Sequence, residues 1–323
     1  MRHFRWQLLI VLITGLVVGL ILVFQRSATP LALESTPNPV TGGSFTEALA
    51  GEIIRLNPAL DRFNQPDRDV DRLIFSSLIK FDSRGLPVGD LAANWEVSSE
   101  GTRYVINLRE NAVWHDGTPL TSQDVLYTVS LLQSSSSLVP EDLRNFWQQI
   151  QAAALSDLSL EFSLPNSFAP FLDYLTFQVL PSHLLGNLSL DELVDHPFNL
   201  APIGTGPYRF KEFQVADGKI SGVSLEAFEY YYSGRPYIDE VHFKLYQDAK
   251  AALQAYLGDE ADAVAQIAHE DLVTALNQPG LDVHSSRLQY VEFFGKFFEA
   301  GGRRFMPFGM STKYVDVENA KGA

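Results

Sequence analysis

Leu8 to Phe24 is a run of 17 residues without a charge, broken in its apolar character only by Thr14, Gly15 and Gly19. As a helix it would span roughly 26 Å, close to the hydrocarbon thickness of a bilayer. Arg2 and Arg5 precede it, which by the positive-inside rule leaves the N-terminus in the cytoplasm and sends the rest of the chain across the membrane. A cleaved signal peptide normally has a shorter apolar core, about 7–15 residues, and a small-x-small cleavage site. Gln25-Arg26-Ser27-Ala28-Thr29 offers a poor site of that kind, so the favoured reading is a retained anchor over residues 1–26. On either reading the globular part lies outside the cytoplasm.

Residues 27–41 contain Pro30, Pro37 and Pro39 and no apolar period, which predicts an extended tether. The 323 residues exceed what one core usually holds, so a lobed or two-domain body is expected. The first 26 residues hold three arginines and no acid. The remainder therefore carries 21 basic against 39 acidic residues, a balance of −18, which argues against nucleic acid as a partner. Cysteine is absent, which removes disulfides, thiolate metal sites, cysteine nucleophiles and a lipid-modified cysteine.

Apolar spacing predicts a strand at Ser44–Leu49. It predicts a helix from Pro66 with Val70, Leu73, Ile74 and Leu78 on one face and Asp67, Arg68, Asp69 and Asp71 elsewhere. Tyr104, Ile106 and Leu108 alternate with Val105 and Asn107, as a half-buried strand requires. Thr121-Ser122-Gln123-Asp124 resembles a capping box that starts a helix through Val125, Val129 and Leu132. Strands are expected at Tyr208–Phe213, Val241–Leu245, Ala261–Ala265 and Leu281–His284, and helices at Asp248–Leu257 and His269–Leu276. This alternation argues for an α/β layer.

Chemistry is hard to find. None of the seven histidines has compact metal-ligand spacing, and each reads as a surface or capping residue. His115-Asp116-Gly117 invites a metal or general-base role, but Asp-Gly after a strand is ordinary turn chemistry. Gly204-Thr205-Gly206-Pro207-Tyr208 lacks the lysine and helix of a phosphate cradle, and Pro207 removes a backbone donor, so a tight turn is expected. Asp239/Glu240 and Asp259/Glu260/Asp262 read as solvated faces. Asn187-Leu188-Ser189 is a formal glycosylation sequon that carries no information. Tyr230-Tyr231-Tyr232 either stacks on a ligand or ends a strand packed on one side.

Specific strings carry more. Leu91-Ala92-Ala93-Asn94-Trp95-Glu96-Val97 is followed by Glu100-Gly101-Thr102-Arg103-Tyr104, then Asn107-Leu108-Arg109-Glu110, then Val113-Trp114-His115-Asp116-Gly117-Thr118-Pro119-Leu120-Thr121 and Asp124-Val125. In order and spacing this resembles the signature of the peptide/nickel-type, family-five solute-binding proteins of bacterial ABC importers. Leu56-Asn57-Pro58, Gly204-Thr205-Gly206-Pro207-Tyr208 and Gly234–Val241 agree with it.

The resemblance implies an α/β, type II periplasmic-binding-protein clamshell. A first lobe would comprise residues 42–74 and 166–246, an inserted subdomain residues 75–165, and an incomplete second lobe residues 247–323. It implies no cofactor and no enzymatic activity. A peptide or similar solute would close the lobes, and the closed form would dock as a monomer on permease subunits in the membrane. In that family the signature lies in the inserted subdomain, so Trp95, Trp114 and Asp116 are expected to determine the fold. Arg62, Phe63 and Asn64, on a loop that faces ligand in relatives, are candidate contacts. Asp248, near the cleft, is another, with Phe146 and Trp147 as further ones. Relatives continue well past this length, so uncovered apolar faces and unpaired strand edges are expected. Other readings stand beside this one. One is a membrane-tethered structural or interaction module without ligand capture, or a nickel- or oligosaccharide-binding member of the family. The other is an exported hydrolase, for which no constellation is legible.

Overall fold

The computed structural model describes residues 40–82, 84–186, 188–278, 281 and 283. The expected membrane helix, the tether up to residue 39, Asn187 of the sequon, residues 282 and 284 of the last expected strand and the segment from Arg303 lie outside the described residues. Among the described residues no helix is long and apolar enough to cross a membrane.

The chain opens with strand β1 (Ser44–Ala50) and helix α1 (Gln65–Ile74), joined by a 14-residue loop, Gly51–Asn64. Pro66 sits in the first turn of α1, where its missing N–H is no loss. Two short strands, β2 (Ile79–Phe81) and β3 (Pro87–Gly89), follow as a hairpin. Strands β4 (Ala92–Val97) and β5 (Arg103–Leu108) lead into helix α2 (Ser122–Leu132) and the short helix α3 (Glu141–Trp147). Strands β6 (Gln151–Ser156) and β7 (Ser159–Ser163) complete an antiparallel sheet of order β4-β5-β7-β6.

The chain then returns through short helices to β8 (Tyr208–Ala216), β9 (Lys219–Ala227), β10 (Glu240–Tyr246), helix α4 (Ala249–Leu257) and β11 (Ala263–Val264). These strands and β1 form a mixed sheet of order β11-β1-β10-β9-β8, in which β1 runs parallel to both β10 and β11.

Alternation in β1 assigns the two faces of the mixed sheet. Leu49 joins Val70 and Ile74 of α1 with Val223, Leu225, Val241 and Phe243 in the main core. Ala48 points the other way, against Ala252 of α4 and Ala261, where small side chains let the helix approach closely. Each fully buried Leu or Val in such a core contributes roughly 1.5–3 kcal/mol. The expected boundary after residue 246 therefore does not hold. Helix α4 packs on β1 and β10, and β11 hydrogen-bonds to β1, so both belong with the first sheet. The described residues up to Ala268 form one unit. In the second unit, taken by itself, the expected single helix is a 3-10 turn, His269–Asp271, running into the short helix Leu272–Leu276.

In the antiparallel sheet, Tyr104, Ile106 and Leu108 of β5 are buried, as their alternation predicts. They face an aromatic core in which Trp147, 1% exposed, meets Phe162, Phe171 and Phe177 edge-on at 5.5–6.2 Å. Trp147, expected as a ligand contact, is thus a core residue, and Phe146 stacks on Tyr174 at 4.0 Å. Trp95, half-buried on β4, lies opposite Ile106.

The capping box at Thr121 is present, and its Asp124 does more than cap. One carboxylate oxygen accepts the Thr121 N–H at 2.9 Å and faces the Trp114 indole N–H at 3.4 Å. The other accepts the Ser182 N–H and hydroxyl at 2.8 and 2.7 Å, so this buried charge anchors a segment 58 residues away.

Two signature turns meet at His115. The Asp-Gly turn has the expected form: the Trp114 N–H donates to the Thr118 carbonyl, Asp116 accepts the Thr118 N–H at 2.9 Å, and Gly117 takes φ +88°. His115 is neither a surface nor a capping residue, however; it is buried. Its backbone N–H donates to the Gly204 carbonyl at 2.9 Å. Its Nδ1 accepts the Gly204 N–H at 3.2 Å, and its Nε2 faces the Gly206 carbonyl at 3.1 Å. Only the neutral ring with the proton on Nε2 satisfies both partners.

Gly204 and Gly206 are required by close approach. A Cβ on either would fall 1.9 or 2.4 Å from the carbonyl oxygen of Ile74 or Leu73 at the end of α1. Pro207 accepts the Phe228 N–H, and the Tyr208 hydroxyl donates to the Ile238 carbonyl at 3.2 Å. Arg109 donates to the Asp90 carbonyl at 2.5 Å and lies over the Tyr232 ring at 5.4 Å. The Tyr232 hydroxyl in turn donates to the Asp90 carboxylate at 2.6 Å. The three tyrosines occupy a turn after β9 rather than a strand end, with Tyr230 75% exposed and Tyr232 buried.

Candidate functional site

Because β11, β1 and β10 are parallel, the loops that follow them emerge at one edge of the mixed sheet, the place where open α/β sheets take their ligands. Residues 51–64 follow β1, Gln247 and Asp248 follow β10, and residues 265–268 follow β11. The β8–β9 turn reaches the same edge because β9 runs antiparallel to β10. Its Lys219 approaches the Glu52 carboxylate at 3.5 Å.

The loop after β1 is held from several sides. Asn57, fully buried, donates to the Asn199 side chain at 2.9 Å and accepts the Ala59 N–H at 3.1 Å. The Asn64 side chain donates to the Glu52 carbonyl at 2.9 Å, and its N–H closes a turn on the Asp61 carbonyl. Arg68 donates from α1 to the Arg62 carbonyl and to the Gln65 side chain.

What this frame presents is Phe63, 89% exposed, with the Arg62 guanidinium 5.7 Å from its ring centroid. Arg62 makes no ion pair among the described residues. A large apolar ring thus stands beside a cation that has no ion-pair partner among the described residues, on a braced loop.

Asp248 caps α4, accepting the Ala251 N–H at 2.8 Å, so its carboxylate is partly engaged. The fold brings Arg62, Phe63, Asn64 and Asp248 to one edge and leaves Trp147 in a different core. Sequence reasoning missed Glu52, Lys219 and residues 265–268, which join the edge only through strand pairing.

Beneath the loop lies an acidic group. Asp67 and Asp71, expected on the polar side of α1, are 1% and 0% exposed, because the loop folds back over that side of the helix. Asp67 accepts the N–H groups of Ile54 and Arg55 at 2.9 and 3.1 Å, and burial raises its carboxyl above the usual range despite them. Among the described residues neither oxygen of Asp71 has a hydrogen-bond partner of normal geometry. Burial first, then the charges of Asp61 and Asp67, push it far above the carboxylate range. Burial pushes Asp61 up to about 7, with Arg68 and Arg72 opposing and Asp67 reinforcing the shift.

At the opposite edge of the sheet, a cavity of about 280 Å³ is lined by His115, Asp116, Arg209, Phe228, Glu229 and Tyr230. Its charges are all paired: Asp116 with His183 at 2.8 Å, Arg209 with Glu226 at 2.8 Å and Glu229 with Arg235 at 2.6 Å. Among the described residues no group of His, Cys, Asp or Glu is placed to hold a metal ion.

A mixed α/β sheet with an interposed antiparallel subdomain and a braced loop at its parallel-strand edge defines a type II periplasmic-binding fold. Residues 87–304 match the family described as bacterial extracellular solute-binding proteins, family 5, middle region, and the chain belongs to that family. The oligopeptide-binding protein AppA of Bacillus subtilis is 30% identical over 242 residues, covering 73% of this chain and 43% of AppA. The structure of AppA in complex with a nonapeptide superposes with a TM-score of 0.65 at 27% identity, over 74% of this chain and 47% of that one. NikZ of Campylobacter jejuni, in complex with Ni(L-His), gives 0.62 at 28% identity, over 73% and 45%. The chain thus spans less than half the length of these relatives.

Proposed function

We propose that the chain is the extracytoplasmic, solute-capturing component of an ABC importer, with short peptides as its solute. The carrying observation is the parallel-strand edge at which an exposed Phe63, the unpaired Arg62, Asn64 and Asp248 converge on a braced frame. The names of relatives such as AppA and the dipeptide-binding protein of Escherichia coli support peptides as the solute class.

In this reading residues 42–74 and 166–268 make the first lobe, residues 75–165 the inserted subdomain, and Leu8–Phe24 the membrane anchor. A peptide carboxylate would pair with Arg62 while an apolar side chain covers Phe63. Main-chain hydrogen bonding would supply affinity without sequence preference. Contacts to both lobes then stabilise a closed form that docks, as a monomer, on membrane permease subunits. The protein works by capture and release, and no covalent bond is made or broken.

Calorimetry of the full chain against di- to pentapeptides, nickel–histidine chelate and short oligosaccharides tests this. Heat with peptides, reduced at least tenfold in affinity by Arg62→Ala, is expected. Binding of the chelate or a sugar alone would reassign the solute, and no heat with any class would defeat the reading.

A further inference from the structure

We propose that the loop bearing Arg62, Phe63 and Asn64 is seated on a bound proton, held by the Asp71 carboxyl and shared in effect with Asp61, so that solute capture at this loop is linked to pH. This goes one step beyond the capture role above, and only its solute arm rests on that role.

The geometry points to it. Asp71 sits on the covered side of α1 with no exposed surface and no hydrogen-bond partner on either oxygen. The Asn57 backbone N–H is the sole group that favours the charged form, and its effect is the smallest of those acting on Asp71. An ionised carboxylate so placed loses its water and gains no donor, whereas the neutral acid does not carry that penalty. The charged groups facing Asp71 are Asp61 and Asp67, both acids. Asp67 accepts the N–H groups of Ile54 and Arg55, which oppose the upward push of burial without cancelling it, so it too is an acid that burial disfavours in its charged form.

Asp61 faces Asp67 and the guanidinium groups of Arg68 and Arg72. Arg68 is also the residue that holds the Arg62 carbonyl from below. On this proposal, ionised Asp61 would attract that same guanidinium through space and so carry the change of charge to the residue that holds the loop tip. A buried acid and a shared arginine thus connect protonation to the contact surface.

The folded chain holds a proton that the unfolded chain releases in the ordinary carboxylate range. The native state therefore binds more protons, and stability falls as pH rises through neutrality. Infrared spectroscopy of the full chain in detergent at neutral pH should show the carbonyl band of a protonated carboxyl, diminished in Asp71→Asn. Above about pH 6.5, where His115 no longer contributes a slope, the thermal midpoint of the wild type should fall towards about pH 9, and that of Asp71→Asn should fall less steeply, with Asp61 supplying the remainder. If that variant does not fold, the wild-type band decides alone: its absence at neutral pH overturns the proposal, as does an Asp71→Asn protein with the wild-type slope.

Peptide affinity should weaken severalfold as pH rises from about 6 to about 8, with heats that differ between buffers of unlike ionisation enthalpy. Measurable binding with equal heats in both buffers would remove the linkage and leave the capture role standing. No binding at any pH would remove the capture role, and the infrared band would still decide the protonation.

Discussion

The two edges of the mixed sheet bury polar groups in opposite ways. At the His115 edge every ring nitrogen and the backbone N–H has a partner, and Gly204 and Gly206 lie flush against the end of α1. At the parallel-strand edge Asp71 is buried with none, beneath a loop whose tip exposes nearly all of Phe63. Satisfied networks rigidify a fold, and unsatisfied groups mark places where stability is given up. The first edge is closed by satisfied contacts within the fold, whereas the second leaves a buried acid beneath an exposed ring.

That contrast can be broken most sharply at Gly204. Gly204→Ala puts a methyl 1.9 Å from the Ile74 carbonyl oxygen and 2.6 Å from its carbonyl carbon, so backbone itself would have to shift. A loss of at least about 4 kcal/mol, or failure to fold, is expected in denaturant titration. A loss under about 1 kcal/mol would show that the junction is loose.

Acid tests the same edge without mutation. Burial holds the His115 ring down to about 4, against 6.5 for a free ring. The unfolded chain takes up this proton first, so the contribution is fully present above about pH 6.5 and is lost as pH falls towards 4. The decline is of order 2–3 kcal/mol, read from unfolding midpoints across that window, and His115→Asn should flatten it. The two edges therefore respond to pH with opposite slopes, the Asp71 edge weakening as pH rises.

Phe63→Ala should have the smallest effect on folding, within about 0.5 kcal/mol, because an 89% exposed ring has little packing to lose. It should nonetheless weaken peptide binding. A destabilisation above about 2 kcal/mol would make Phe63 structural and erase the contrast.

Legibility in the sequence follows the same division. The capping box at Thr121, the alternation of Tyr104, Ile106 and Leu108 and the Asp-Gly turn at Asp116 were readable because each depends on residues a few positions apart. The loop tip at Arg62–Asn64 was readable only through resemblance. Trp147 was misread because an aromatic residue in a short helix looks the same whether its partners are a ligand or Phe162 and Phe171. His115 was misread because both acceptor and donor for its ring lie about 90 residues away. Asp67 and Asp71 were placed off the apolar face of their helix, and their burial was not legible because the helical period cannot see a loop folding back over them.

What the sequence alone determined is local and compositional: an acidic, cysteine-free α/β chain with a family signature, because periodicity, capping and turn chemistry act over a few residues. Only the tertiary structure decided that β11 joins β1, that one edge of the sheet gathers the exposed contacts, and that Asp71 lies uncompensated beneath them. Those features arise from strand pairing and burial between segments far apart in the chain, where no local rule carries information.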